Sequence, residues 1–170
     1  MVLFLSSERL KADFANQNLA DEYIRAATIT SQNYLRELVG DCLYEALEYK
    51  VNNDEIEGTI YQTLLDDFIV PYLEFSVMGE MCVPTSLKQG NIGVFTNYDT
   101  NANSNELPSV KYVEAYWKQR AEFYRNRLVK FLDKNADEVP EWKDCGCNCG
   151  VITAPSRNNI TRTGIWLGGK

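Results

Sequence analysis

Histidine is absent from the 170 residues. That removes the commonest general base near neutral pH and the commonest nitrogen ligand for metals, and most hydrolase and metalloenzyme plans go with it. Basic residues are also in short supply. Lys and Arg number 17 against 24 Asp and Glu, a formal net charge of −7. A general nucleic-acid binder needs a basic footprint, whereas an acidic wall repels phosphate and lets a nucleic acid slide past. Long apolar runs are missing as well. Val2–Leu5 is a run of four with no basic segment before it, so no secretory signal is expected. No other run approaches the length of a membrane span.

The chain has enough length for one domain with a real core, and its apolar content of 45% is ordinary for a globular protein. Aromatics reach 12% with ten tyrosines, a supply that suits interfaces as well as cores.

Apolar spacing predicts a mainly α protein. It comprises a small helical bundle with one long C-terminal helix, an inserted loop or β arm, and an extended C-terminal tail. The helical domain covers residues 1–140 with the arm at about 88–107, and the tail covers 141–170. Val2–Leu5 reads as extended. Ser6 or Ser7 caps a short helix carrying Leu10 and Phe14. A second helix runs from about Ala20 to Val39 with Ile24, Ala27, Ser31, Leu35 and Leu38 on one face. Gly40 stops it, and Asp41 is placed to cap the next, so 38–43 forms an elbow. Asp54 is placed to cap a further helix with Ile56, Ile60, Leu64 and Phe68 in register, and Pro71 either kinks or divides that helix. Asp66 and Asp67 point about 100° apart on a helix and form no catalytic pair.

The longest periodic stretch follows, ELPSVKYVEAYWKQRAEFYRNRLVKFLDK over 106–134. Pro108 and Ser109 stand at a helix start. Val113, Trp117, Ala121, Tyr124, Leu128 and Phe131 or Leu132 return at helical spacing, and a helix of about 25 residues is about 38 Å long. Lys118, Arg120, Glu122, Arg125, Arg127 and Lys130 lie between these apolar positions and make the outer face basic on balance. Sequence reading makes this helix the central strut.

Between 84 and 108 the helical period is lost. Residues 90–98 have the β-branched and aromatic character of a strand or hairpin arm. Ile92, Val94, Phe95 and Tyr98 are its candidate partner-binding residues. Ile165, Trp166 and Leu167, between Gly164 and Gly168, are the second candidate set, because a tryptophan in a tail is suited to filling a pocket.

The five cysteines are an odd number and suggest a reduced setting, in which the sequon at Asn159 stays idle. Cys42 reads as a small packed hydrophobe. Cys145, Cys147 and Cys149 alternate along the tail and read as free thiols. Thiolate binding of a soft metal is an alternative, with Cys42, Cys82 or a second subunit completing the set. A disulfide formed outside the cell is another. No cofactor is expected.

The order of these parts resembles a known family. YLRELVGDCLYEAL, FIVPYLEFSVM, NIGVFTNYD and VKYVEAYWKQRAEFYRNRLVKFL, in that order, look like the head-to-tail adaptor (connector or ring) proteins of tailed bacteriophages. The likeness is greatest to those of Bacteroides and crAss-like phages, and it covers about Ser6 to Leu132. It implies a structural, non-enzymatic subunit of the virion neck, made in the host cytoplasm. Such subunits form a homo-oligomeric ring, usually of twelve, that binds the portal protein and other neck or tail proteins. They line the DNA exit channel without sequence-specific binding, and no membrane is involved. Two alternatives from the residues alone are a thiolate metal-binding scaffold or regulatory module, and a DNA-packaging accessory subunit.

Overall fold

Six α-helices, one π-helical turn, one β-hairpin and a closing 3-10 turn (Pro140–Trp142) are the elements of the described residues 2–14, 20–90, 93–96 and 107–142 of the computed structural model. The fold is mainly α, as the apolar spacing predicts.

The helices are α1 (Ser7–Asp13), α2 (Asp21–Val39), α3 (Asp41–Asn52), α4 (Ile60–Leu64), α5 (Val70–Ser86) and α6 (Leu107–Lys134). Ser6 caps α1, its hydroxyl accepting from the Arg9 amide at 3.2 Å. The segment before it is a strap without a strand partner. The Val2 amide donates to Glu48 at 2.9 Å, and Phe4 meets Tyr44 edge-on at 5.5 Å.

Gly40 makes the elbow between α2 and α3 with φ of 82°, a region where any Cβ would be strained. It also occupies the N-cap position of α3. Asp41 therefore does not cap α3. Its carboxylate pairs with Arg36, which also reaches Glu45 at 3.0 Å. Asp54 likewise fails to cap a helix. It sits in the left-handed region (φ 54°) within a turn, and α4 begins only at Ile60, so Ile56 lies outside the helix that its spacing suggested.

At Pro71 the helix is not divided. Leu65–Ile69 is a π-helical turn, and the Val70 amide bonds back to the Leu65 carbonyl, five residues away. Proline has no amide to donate and crowds the carbonyl four residues back. Widening the helix by one residue just before Pro71 accommodates both problems while the helix continues. Pro84 then lies inside α5, which runs on to Ser86, so the helix persists past the point where its period fades in the sequence.

α5 is the central element. It packs against α6 on one side and α2 on the other, and Leu73 and Val77 are wholly buried. This corrects the expectation of α6 as central strut. Only Glu74 and Glu80 are charged in α5, so no face of it suits solvent, whereas α6 carries charges around much of its surface. α6 spans 28 residues, about 42 Å at 1.5 Å per residue. Its buried line runs through Val110, Ala121, Leu128 and Leu132. Val113 is 44% exposed. The line passes one residue further on, at the half-buried Glu114, because the seam on α5 sets the phase of the helix.

The chain then turns back. Val139 is fully buried, the Trp142 indole donates to Asp133 at 3.1 Å, and the Tyr61 hydroxyl donates to Glu141 at 2.6 Å. Glu141 and Trp142, assigned to the tail by sequence, therefore belong to the helical body.

Candidate interaction surfaces

The inserted arm is a two-stranded antiparallel hairpin, β1 (Leu87–Gly90) and β2 (Gly93–Thr96), joining α5 to α6. Val94 pairs in register with Gln89 and Phe95 with Lys88. Two of the four arm candidates thus lie on a hydrogen-bonded strand. Ile92 and Tyr98 lie outside the described residues, as do Ile165, Trp166, Leu167, Cys145, Cys147 and Cys149.

Buried polar groups hold helices together. Ser76 on α5 donates to Ser31 on α2 at 2.9 Å. Gln32, fully buried, donates through Nε2 to the Val2 carbonyl at 2.9 Å and to the Tyr44 hydroxyl at 3.0 Å, fastening the strap and α3 to α2. Its Oε1 has no partner among the described residues. Arg9 on α1 donates to Glu74 on α5 at 3.1 Å. Burial raises the Glu74 carboxyl above the ordinary glutamate range, and the Arg9 charge offsets part of that rise. Burial also pushes the Tyr72 phenol up to about 12 and raises that of Tyr61, which the neighbouring Glu141 raises further. Phenols shifted upward hold their protons near neutral pH and serve poorly as bases.

A pocket of about 210 Å³ lies where α2, α5 and α6 meet, lined by Tyr34, Glu37, Leu38, Tyr72 and Arg125. That is below the common range for small-molecule sites, about 300–1,000 Å³. Arg125 is already engaged by Glu122 at 2.7 Å.

The cysteines depart from the sequence reading at one point. Cys42, half-buried at the start of α3, is disulfide-bonded rather than a packed thiol, a state that a reducing setting does not favour. Cys82 keeps its thiol, which donates to the Met78 carbonyl at 3.2 Å, and burial raises its pKa. A raised pKa reduces the thiolate fraction on which cysteine reactivity depends. Among the described residues no three His, Cys, Asp or Glu side chains are grouped to hold a metal, and no helix is long and apolar enough to cross a membrane.

One surface feature was missed by sequence reading. On the open side of α6, Tyr112, Tyr116, Arg120, Phe123 and Arg127 follow each other at steps of four, four, three and four, which aligns them on one face. Tyr112 is 76% exposed and Phe123 58%. Arg120 lies over the Tyr116 ring at 4.8 Å, and Arg127 over Phe123 at 5.7 Å and Phe68 at 5.4 Å. The exposed Tyr and Phe residues were legible in the same periodic stretch. The buried stripe drew the reading toward the other face.

No curated protein and no solved structure matches the chain. Residues 35–151, from within α2 to beyond the Pro140–Trp142 turn, match the profile of a family of unknown function, DUF6712. That match spans more than half of the chain, and the protein belongs to this family of unknown function.

Proposed function

We propose that this protein is a structural subunit of a tailed-phage virion neck. In this reading it forms a homo-oligomeric ring, of about twelve copies by the family resemblance, that joins the portal to downstream tail components and lines the DNA exit channel. The observation that carries the reading is the hairpin inserted between α5 and α6, the two helices that pack most heavily on each other. An arm rooted at that junction can reach a neighbour while the body stays rigid. A small helical body provides little channel wall alone, but wedges repeated around a ring provide a closed one. Repetition also multiplies the −7 charge of each copy, which keeps exiting DNA from adhering. Many modest contacts repeated by symmetry give avidity without a strong single site. The reading assigns the protein no catalytic step and no cofactor.

Quantitative mass spectrometry of purified virions tests it, with the portal protein as the internal standard. A near-equal copy number supports a ring seated on the portal. Absence of the chain from virions refutes the neck assignment.

A further inference from the structure

The aromatic and arginine ridge of α6 has no covering element among the described residues, although its composition is that of an interface core. Tyr, Trp and Arg dominate binding hot spots, and an exposed apolar row of this kind is costly to leave in water. The ridge from Tyr112 to Arg127 extends about 22 Å along the helix. Arg120 and Arg127 have no carboxylate partner among the described residues, unlike Lys118 and Arg125, which are paired with Glu114 and Glu122. Arg120 lies within about 6 Å of the Tyr116 and Phe75 rings and Arg127 within about 6 Å of the Phe123 and Phe68 rings, contacts that use none of the guanidinium N–H donors on a carboxylate.

The same chain carries a complement. The turn between α3 and α4 exposes Asp54, Glu55 and Glu57, none in an ion pair with a described residue. Tyr49, 62% exposed on the last turn of α3, stands beside them and offers an aromatic surface. We propose that the Tyr112–Arg127 ridge of α6 docks on the acidic Asp54–Glu57 turn and Tyr49 of a second copy of this chain. Because ridge and turn belong to different elements, each copy can give one and receive the other, a head-to-tail contact that closes a ring when the rotation permits. The inference rests on the ring reading and names the surfaces that would join its subunits. A second copy fits better than nucleic acid, whose phosphates would meet the −7 charge of the whole molecule.

Sedimentation velocity of the full chain over a concentration series, with carbodiimide cross-linking and peptide mapping, provides the test. Three variants accompany it, each confirmed as folded by circular dichroism: R120E/R127E, D54K/E55K/E57K, and the two sets combined. Expected is concentration-dependent association of the native chain, with cross-links between copies reporting the acidic turn. Association should weaken about tenfold or more in each single-set variant, as loss of hot-spot arginines does, and should recover in the combined swap or when the two single-set variants are mixed. Recovery is the readout that a merely misfolded variant cannot give. The proposal is overturned if the native chain stays monomeric, if association ignores the charge reversals, or if R120E/R127E loses binding to a DNA duplex while self-association persists. In each of those cases the neck assignment stands or falls separately, on the copy number in virions.

Discussion

Leu73→Ala isolates the central claim about the fold, that α5 lies between α2 and α6. Leu73 has no exposed surface. The truncation removes three carbon atoms, about 2.4 kcal/mol at about 0.8 kcal/mol per buried methylene. Helices on two sides hold the space open, and a residual cavity of about 40 Å³ adds about 1 kcal/mol at about 24 cal/mol per Å³. The expected loss is therefore about 3–4 kcal/mol. Urea unfolding followed by far-UV circular dichroism should show the midpoint falling by roughly 1.5–2 M, for a slope of about 2 kcal/mol/M. Val113→Ala is the matched control. Both positions lie on apolar stripes in the sequence, but Val113 is 44% exposed, and its truncation should change stability by no more than about 0.5 kcal/mol. A Leu73→Ala loss below about 1.5 kcal/mol at unchanged slope, or a Val113 cost equal to that of Leu73, would refute the placement of α5 and the phase of α6.

Phe75→Ala should cost about 3 kcal/mol, because its ring meets Phe14 at 5.8 Å, Trp117 at 6.0 Å and Tyr124 at 5.4 Å and so ties the end of α1 to α5 and α6; the tryptophan emission should shift, and an unchanged spectrum and melt would count against that cluster. Tyr61→Phe should lose about 1–2 kcal/mol with its bond to Glu141, and hydrogen exchange around Val139–Trp142 should accelerate; equal protection in both proteins would deny the link. Glu74 gives a pH signature. Its carboxyl is raised in the folded state, so folding favours the protonated form. Its contribution to stability is then greatest below the ordinary glutamate value and declines as pH rises through the raised one. Glu74→Gln should remove that decline, and parallel stability curves for the two proteins across mildly acidic pH would contradict it.

Local physical chemistry made much of this protein legible in its sequence. The Ser6–Ser7 pair announced the cap of α1, since a hydroxyl there satisfies an amide left open by the first turn, and the structure selects Ser6. Gly40 had to end α2, because only glycine takes φ of 82° without strain. The helical period gave α2, α3 and α6 and the mainly α class, and the β-branched run gave the arm. Other features depend on what lies across the helix. The choice between Val113 and Glu114 as the inward residue is a small rotation that spacing alone leaves open, and the seam with α5 sets it. The π turn before Pro71 answers a local conflict that the sequence announces, but spacing and propensity do not say whether the helix bends, stops or widens there. Asp41 is no cap because Gly40 takes the N-cap position of α3, and its carboxylate pairs with Arg36 across the elbow instead. The open ridge on α6 could be recognised only once α5 and the π turn had covered the face beside it. A sequence shows which residues share a side of a helix, but packing alone decides which side is left for another molecule.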